Sequence, residues 1–118
     1  MNLRISMIIG GMDMVFQGKE LAQRPHIVVA TPGRLADHLD SCDTFSLKNI
    51  SFLVIDEADR LLEGRFDDQL QTIFAALPKK RQTLLFSATI TDTLNKLKEV
   101  ALNNVSELSS SSSKYPLI

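Results

Sequence analysis

Four short apolar runs punctuate the chain, at residues 3–9, 26–30, 52–55 and 83–86. Runs of this length suit strands, and residues 26–30, without alternation, suit a strand buried on both faces of a parallel sheet. Between them the spacing changes to that of helices. Residues 14–23 predict a helix packing through Met14, Val15, Leu21 and Ala22, with Gly18 in its middle. That glycine costs about 1 kcal/mol relative to alanine. Leu35 and Leu39 predict a second helix reaching about residue 41. Thr31 is a good cap for it, and Pro32 fits its first position because the missing N–H has no partner there anyway. A helical turn begins at Arg60. Phe66, Leu70, Ile73, Phe74 and Leu77 then share one face behind Asp67 and Asp68, and Pro78 stops that helix. Thr91 and Asp92 open a last helix through Leu94, Leu97 and Ala101. Strand and helix alternate with connections long enough for right-handed crossovers, which predicts an α/β fold, a parallel sheet with flanking helices.

Composition narrows this picture in a few places. A length of 118 residues suits one domain and not two. The formal net charge of −1 supplies no overall basic field, so any nucleic-acid contact must come from local placement of charge and amides. Cys42 is the single cysteine, which excludes an intrachain disulfide and a cysteine-rich zinc site and points to a reducing, intracellular compartment. The apolar start is interrupted at Asp13 and reads better as a strand than as a signal peptide. No stretch approaches the roughly 18 apolar residues that span a bilayer, so no membrane partner is expected. Ser109 to Ser113 cannot bury enough apolar area to offset the entropy of ordering, which predicts an ordered domain over 1–104 and a disordered serine-rich tail over 105–118.

The chemistry gathers where apolar runs end. Residues 52–55 stop at three carboxylates, Asp56, Glu57 and Asp59. Burying carboxylates is costly, so such a strand should deliver them to its exposed carboxyl end, where ligands bind in open α/β sheets. An acid there can hold Mg²⁺ directly or through water, and a neighbour can orient water for attack on phosphate. The plainer alternative is an acidic helix start that complements the dipole. Gly10-Gly11 closes the first run and permits positive φ or close backbone approach by a ligand; a flexible turn is the alternative. The helix start at Thr31-Pro32-Gly33-Arg34 offers free amides and a fixed charge to an anion. Ser87 and Thr89 carry hydroxyls at the end of the fourth run. Gly18-Lys19 is a decoy, because Asp13 and Glu20 stand where a phosphate loop needs glycine and a hydroxyl. His26 and Cys42 carry no expected role, and Lys79-Lys80-Arg81 reads as a solvated turn.

Asp56-Glu57-Ala58-Asp59, with Thr31-Pro32-Gly33-Arg34 upstream and Ser87-Ala88-Thr89 downstream, resembles the DEAD-box RNA helicases. The resemblance spans residues 1 to about 104, with the order and spacing of the family's first RecA-like domain. It implies an incomplete RecA-like (P-loop NTPase) domain lacking the Walker A strand and loop, and a family activity in which ATP hydrolysis with Mg²⁺ drives RNA unwinding. Catalytic roles would fall to Asp56 and Glu57, with Asp56 holding Mg²⁺ only alongside nucleotide. Asp59, Ser87 and Thr89 would couple nucleotide state to unwinding. Gly10, Gly11, Thr31, Pro32, Gly33 and Arg34 would contact RNA. One departure concerns Gly64, which lies one residue earlier than the family places a glycine before the aromatic at Phe66, with Arg65 intervening.

By the same resemblance the Walker A segment would precede Met1 and the second RecA-like domain would follow residue 104, making those segments partners along with RNA. Several amide–phosphate bonds and a lysine would then be missing, about 5–10 kcal/mol at 1.5–3 kcal/mol each. Micromolar affinity is only about 8 kcal/mol in total, so this chain alone is not expected to bind or hydrolyse ATP. The strand at 83–86 would be left as an apolar sheet edge, an aggregation hazard. The wording of residues 34–39 and 60–63 looks like the eukaryotic ribosome-biogenesis subgroup, which implies a nuclear, nucleolar location. Two other readings remain open: a non-catalytic RNA- or partner-binding module, and a receiver-like domain, which would need an acid pair where Gly10-Gly11 stands.

Overall fold

The computed structural model describes residues 2–41, 43 and 45–101, so the expectations for Cys42 and for the serine-rich stretch lie outside the described residues. The elements are β1 (Ile5–Ile8), α1 (Met14–Ala22), β2 (Ile27–Ala30), α2 (Pro32–Ser41), β3 (Phe52–Ile55), α3 (Ala58–Leu61), α4 (Asp67–Ala76), β4 (Gln82–Leu85) and α5 (Ile90–Ala101). This is the expected alternation. The strands form two parallel pairs, β1 beside β2 and β3 beside β4. Ile5 lies opposite Ile27 and Ile8 opposite Ala30, while Phe52 faces Gln82 and Ile55 faces Leu85. Both pairs continue beyond their last strand residue. The Thr31 N–H donates to the Ile8 carbonyl at 3.1 Å, and the Phe86 N–H to that of Ile55 at 2.9 Å.

The main core lies between the β3–β4 pair and the helices, where Ile55, Leu70, Phe74, Leu85 and Leu97 are buried together. Helix α2 packs against α4, and α4 against α5. Burying side chains of this size stabilises a fold by about 1.5–3 kcal/mol each, an upper figure given compact unfolded chains. These residues recur at helical spacing in α4 and at the inward positions of β3 and β4, so the pattern that predicts the elements also builds the core.

Coverage of the strands departs from expectation. Thr83, Leu84 and Leu85 of β4 are buried, as a doubly covered strand requires. Ile5 and Met7 of β1, Ile27 and Val29 of β2, and Phe52 and Val54 of β3 are exposed instead, Ile5 by 61% and Val29 by 52%. Side chains along a strand alternate between faces, and the register sets Ile5 beside Ile27 and Met7 beside Val29 on one side. Nothing among the described residues covers that side.

Helix α1 also turns differently from its predicted face. Gln17 and Leu21, one turn apart, point inward, while Val15 and Ala22 are exposed. The Asp13 carboxylate caps the helix by accepting the Val15 N–H at 2.9 Å. Gly18 sits within the helix, so Gly18-Lys19 is helical backbone and not a phosphate loop. At the other end Arg24 takes the left-handed conformation, φ 58°, and its N–H donates to the Leu21 carbonyl at 3.0 Å before Pro25 ends any continuation.

Candidate functional site

Strand β3 delivers Asp56 and Glu57 to its exposed carboxyl end, as its sequence requires. Asp56 Oδ1 accepts the Glu57 N–H at 2.9 Å. Glu57 has φ 48° and ψ 47°, a left-handed conformation costing about 1–2 kcal/mol for a residue with a Cβ. This turn hangs on the neighbouring strand, because the buried Ala58 donates its N–H to the Phe86 carbonyl at 2.9 Å. The Glu57–Arg60 ion pair, 3.4 Å apart, is exposed and adds little. Asp56, Glu57 and Asp59 line a shallow cleft of about 300 Å³ together with Ser87 and Ala88. Two motifs separated by some thirty residues of sequence thus share one rim.

Within that cleft the hydroxyls have other partners. Ser87 Oγ lies 2.9 Å from Thr93 Oγ1, and both side chains are buried. Ser87 Oγ also donates to the Thr89 carbonyl and accepts the Thr89 N–H, each at 3.3 Å. Thr89 Oγ1 is 3.4 Å from Thr93 Oγ1. Among the described residues neither Ser87 nor Thr89 hydrogen-bonds Asp59. Sequence reasoning missed Thr93. Its one signal was a hydroxyl one helical turn beyond Thr89, at the start of an amphipathic helix.

Asp56 fits a hard cation: its carboxylate is exposed, and one oxygen is oriented by the Glu57 amide. Among the described residues no three His, Cys, Asp or Glu side chains gather around a common point. A Mg²⁺ held by Asp56 would therefore complete its shell with waters and phosphate oxygens, the usual arrangement for that ion.

The second group of predicted residues assembles around the carboxyl ends of β1 and β2. Gly10 and Gly11 follow β1, and Gly11 needs its φ of 83°. Thr31 stands at the cap of α2, its carbonyl accepting the Leu35 N–H at 3.1 Å, and Pro32 and Gly33 form the first turn. Apart from their chain neighbours and the backbone of α2 itself, no heavy atom among the described residues lies within 4 Å of where a side chain at Gly10, Gly11 or Gly33 would begin. Arg34 reaches back across this end. Its Nη1 donates to the Met12 carbonyl at 2.7 Å and to Gln17 Oε1 at 3.0 Å.

Gln17 is only 1% exposed, and its Nε2 donates to the Ile9 carbonyl at 2.8 Å. His38, equally buried, places Nε2 3.1 Å from the same Gln17 Oε1. Burial, then the Arg34 charge, pushes His38 below its ordinary value of 6.5, with Asp37 opposing. Neither Gln17 nor His38 stood out in the sequence, since a buried polar side chain is recognised only once its partners are in place.

Arg81 corrects the reading of residues 79–81 as a solvated turn. It is 8% exposed, burial lowers its pKa, and its Nη1 donates to the Pro78 carbonyl at 2.8 Å. With Lys48 and Lys80 it borders a cleft of about 620 Å³ at the amino end of β3 and β4, away from the acids. No helix among the described residues is long and apolar enough to cross a membrane.

Residues 1–97 match the family model described as DEAD/DEAH box helicase. The chain is 59% identical over 106 residues to the mouse (Mus musculus) protein named "Probable ATP-dependent RNA helicase DDX49", covering 87% of this chain and 22% of that one. Across its whole length it is 48% identical to the ATP-dependent rRNA helicase rrp3 of Aspergillus niger, of which it covers 25%. Its fold superposes on the crystal structure of a DEAD box protein from the hyperthermophile Methanococcus jannaschii with a TM-score of 0.75, at 36% identity over 92% of this chain and 29% of that one. A structure of Mss116p bound to ssRNA and AMP-PNP gives 0.74 at 32% identity, over 91% and 23%. The chain thus spans about a quarter of the length of the curated relatives it matches.

Proposed function

Because this chain belongs to the DEAD/DEAH box helicase family, we propose that it supplies the acidic and RNA-facing parts of an ATP-dependent RNA helicase. The family uses ATP and Mg²⁺. In this reading Asp56 holds the Mg²⁺ that accompanies the triphosphate, and Glu57 orients the attacking water. The observation that carries the reading is the convergence of Asp56, Glu57, Asp59 and Ser87 on one cleft. The strained backbone at Glu57 supports it, since left-handed residues with side chains persist where the surroundings over-determine them, often at functional sites. Asp59, Ser87 and Thr89 take the coupling role. For that, Ser87 or Thr89 would exchange its present hydroxyl partner for Asp59 when nucleotide is bound.

Gly10, Gly11 and Thr31 to Arg34 form the RNA side: two open glycines, a helix N-terminus and a guanidinium at one end of one strand pair. Likeness to a protein solved with ssRNA supports this assignment. The names of the rRNA helicase relatives support a role in ribosome biogenesis and a nucleolar location.

The 118 residues contain no G-x-x-x-x-G-K-[ST] cradle, which favours one second reading for this polypeptide by itself: RNA or partner binding without turnover. Both are tested in two arms. The chain alone should bind single-stranded RNA in a salt-dependent way and release no phosphate from ATP. In the longest product of the same gene, Glu57→Gln should lower RNA-stimulated hydrolysis by at least about 100-fold while ATP binding persists. Hydrolysis at the unmodified rate in Glu57→Gln would remove the catalytic assignment. A flat RNA isotherm at low salt would remove the RNA side.

A further inference from the structure

A glutamine exposed by only 1% must have its amide satisfied, and Gln17 does so with three groups, one after β1 and two on α2. Its Nε2 donates to the carbonyl of Ile9, which can only accept, and this fixes which way the amide points. Oε1 therefore faces Arg34 and His38 and accepts from both, which sets the proton of His38 on Nε2. Ile9 is the residue immediately before Gly10-Gly11, and Arg34 closes the Thr31–Arg34 turn.

We propose that Gln17 is a positioning residue that fastens the Gly10-Gly11 segment to Arg34, so that both present donors to a single RNA backbone. This rests on the reading of those residues as the RNA side. Both hydrogen bonds of the Arg34 guanidinium use Nη1. Nη2 and Nε have no protein partner among the described residues, so the guanidinium is held by one corner while its other edge keeps the fork geometry that suits phosphate. Without Gln17 the Met12 carbonyl alone restrains Arg34, and the side chain must be ordered when RNA binds. Ordering a long side chain on binding weakens affinity by about two-fold to ten-fold, which cancels the gain from one exposed phosphate contact, so without Gln17 that contact is no longer made. His38 braces the same oxygen from behind: buried and neutral, it holds Oε1 without adding a charge of its own.

The test uses the full 118-residue chain and a fluorescein-labelled decauridylate, with binding followed by anisotropy over a range of salt. Gln17→Met preserves length and removes all three bonds. It should weaken binding about five-fold and flatten the dependence of log K on log salt by about 0.7, the signature of one lost phosphate contact on a single strand. In an Arg34→Ala background the same substitution should add nothing. Unchanged affinity and slope in Gln17→Met, or effects that multiply with Arg34→Ala, would overturn the proposal. Equal binding by the unmodified chain and Arg34→Ala would instead remove the underlying RNA reading, and this proposal with it. Should Gln17→Met lose its helical circular-dichroism signal, Gln17→Glu is read in its place. Its carboxylate neutralises Arg34 and repels the Ile9 carbonyl, so the slope should flatten equally; an unchanged slope overturns the proposal.

Discussion

The buried hydroxyl pair between Ser87 and Thr93 makes a sharp energetic prediction. Thr93→Val preserves shape and replaces the hydroxyl by a methyl, removing the 2.9 Å contact to Ser87. Ser87 keeps its two longer contacts with the Thr89 backbone, at 3.3 Å each. The loss is then close to one net hydrogen bond, about 1 kcal/mol. Ser87→Ala leaves Thr93 Oγ1 buried with only the 3.4 Å contact to Thr89 Oγ1, and the desolvation of that hydroxyl raises the cost to about 2 kcal/mol. In the double variant neither hydroxyl is orphaned, so the total should stay near 2 kcal/mol, below the 3 kcal/mol of independent sites. Urea unfolding followed by circular dichroism, compared at midpoints with a common slope, reads these differences directly. Additivity within about 0.3–0.5 kcal/mol would show that the two hydroxyls do not interact, and would refute the account of the cleft given above.

Two further outcomes follow from α1 and its surroundings. Arg24→Gly should stabilise the chain by about 0.5–1 kcal/mol, because glycine accepts φ 58° without a Cβ penalty; the bond from the Arg4 guanidinium goes to the Arg24 carbonyl and survives the change. A thermal melt should rise by a few degrees, and a fall would mean that the Arg24 side chain matters more than its backbone. Acidification should weaken the fold through His38. Its folded pKa is lowered, so below the ordinary value of 6.5 the unfolded chain takes up a proton that the folded chain refuses. Stability is fully present above that value, declines as pH falls towards the folded pKa, and levels off there. The urea midpoint should drop between pH 7.5 and 5.5, and drop less in His38→Gln; equal drops would exclude His38 as the source.

The fold was legible where a local pattern forces an outcome. The apolar run of Phe52 to Ile55 ending in acids had to surface at a strand end, and Pro32 after Thr31 had to open a helix. Arg81 was misjudged because a cation beside two lysines looks solvated until Pro78 is seen to place a carbonyl within reach. The face of α1 was misjudged for the converse reason. Gln17 looks like a surface residue, yet a strand-end carbonyl and two cationic or imidazole donors make the interior its best-satisfied place. Ile5, Met7, Ile27 and Val29 have the composition of a doubly covered sheet, and composition alone does not say which segment does the covering. Gly18 interrupts nothing, because a penalty of about 1 kcal/mol does not break a helix anchored on either side by the buried Gln17 and Leu21.

The backbone at Glu57 sets two kinds of selection against each other. Ranked by how tightly the polypeptide holds together, glycine and then asparagine would lead every substitution at position 57, and β-branched residues would trail. If Glu57 has the proposed catalytic role, a ranking by phosphate release in the longest product of the same gene would put glutamate alone at the top. A saturation library at that single codon, scored both ways, would therefore give two orders with different leaders.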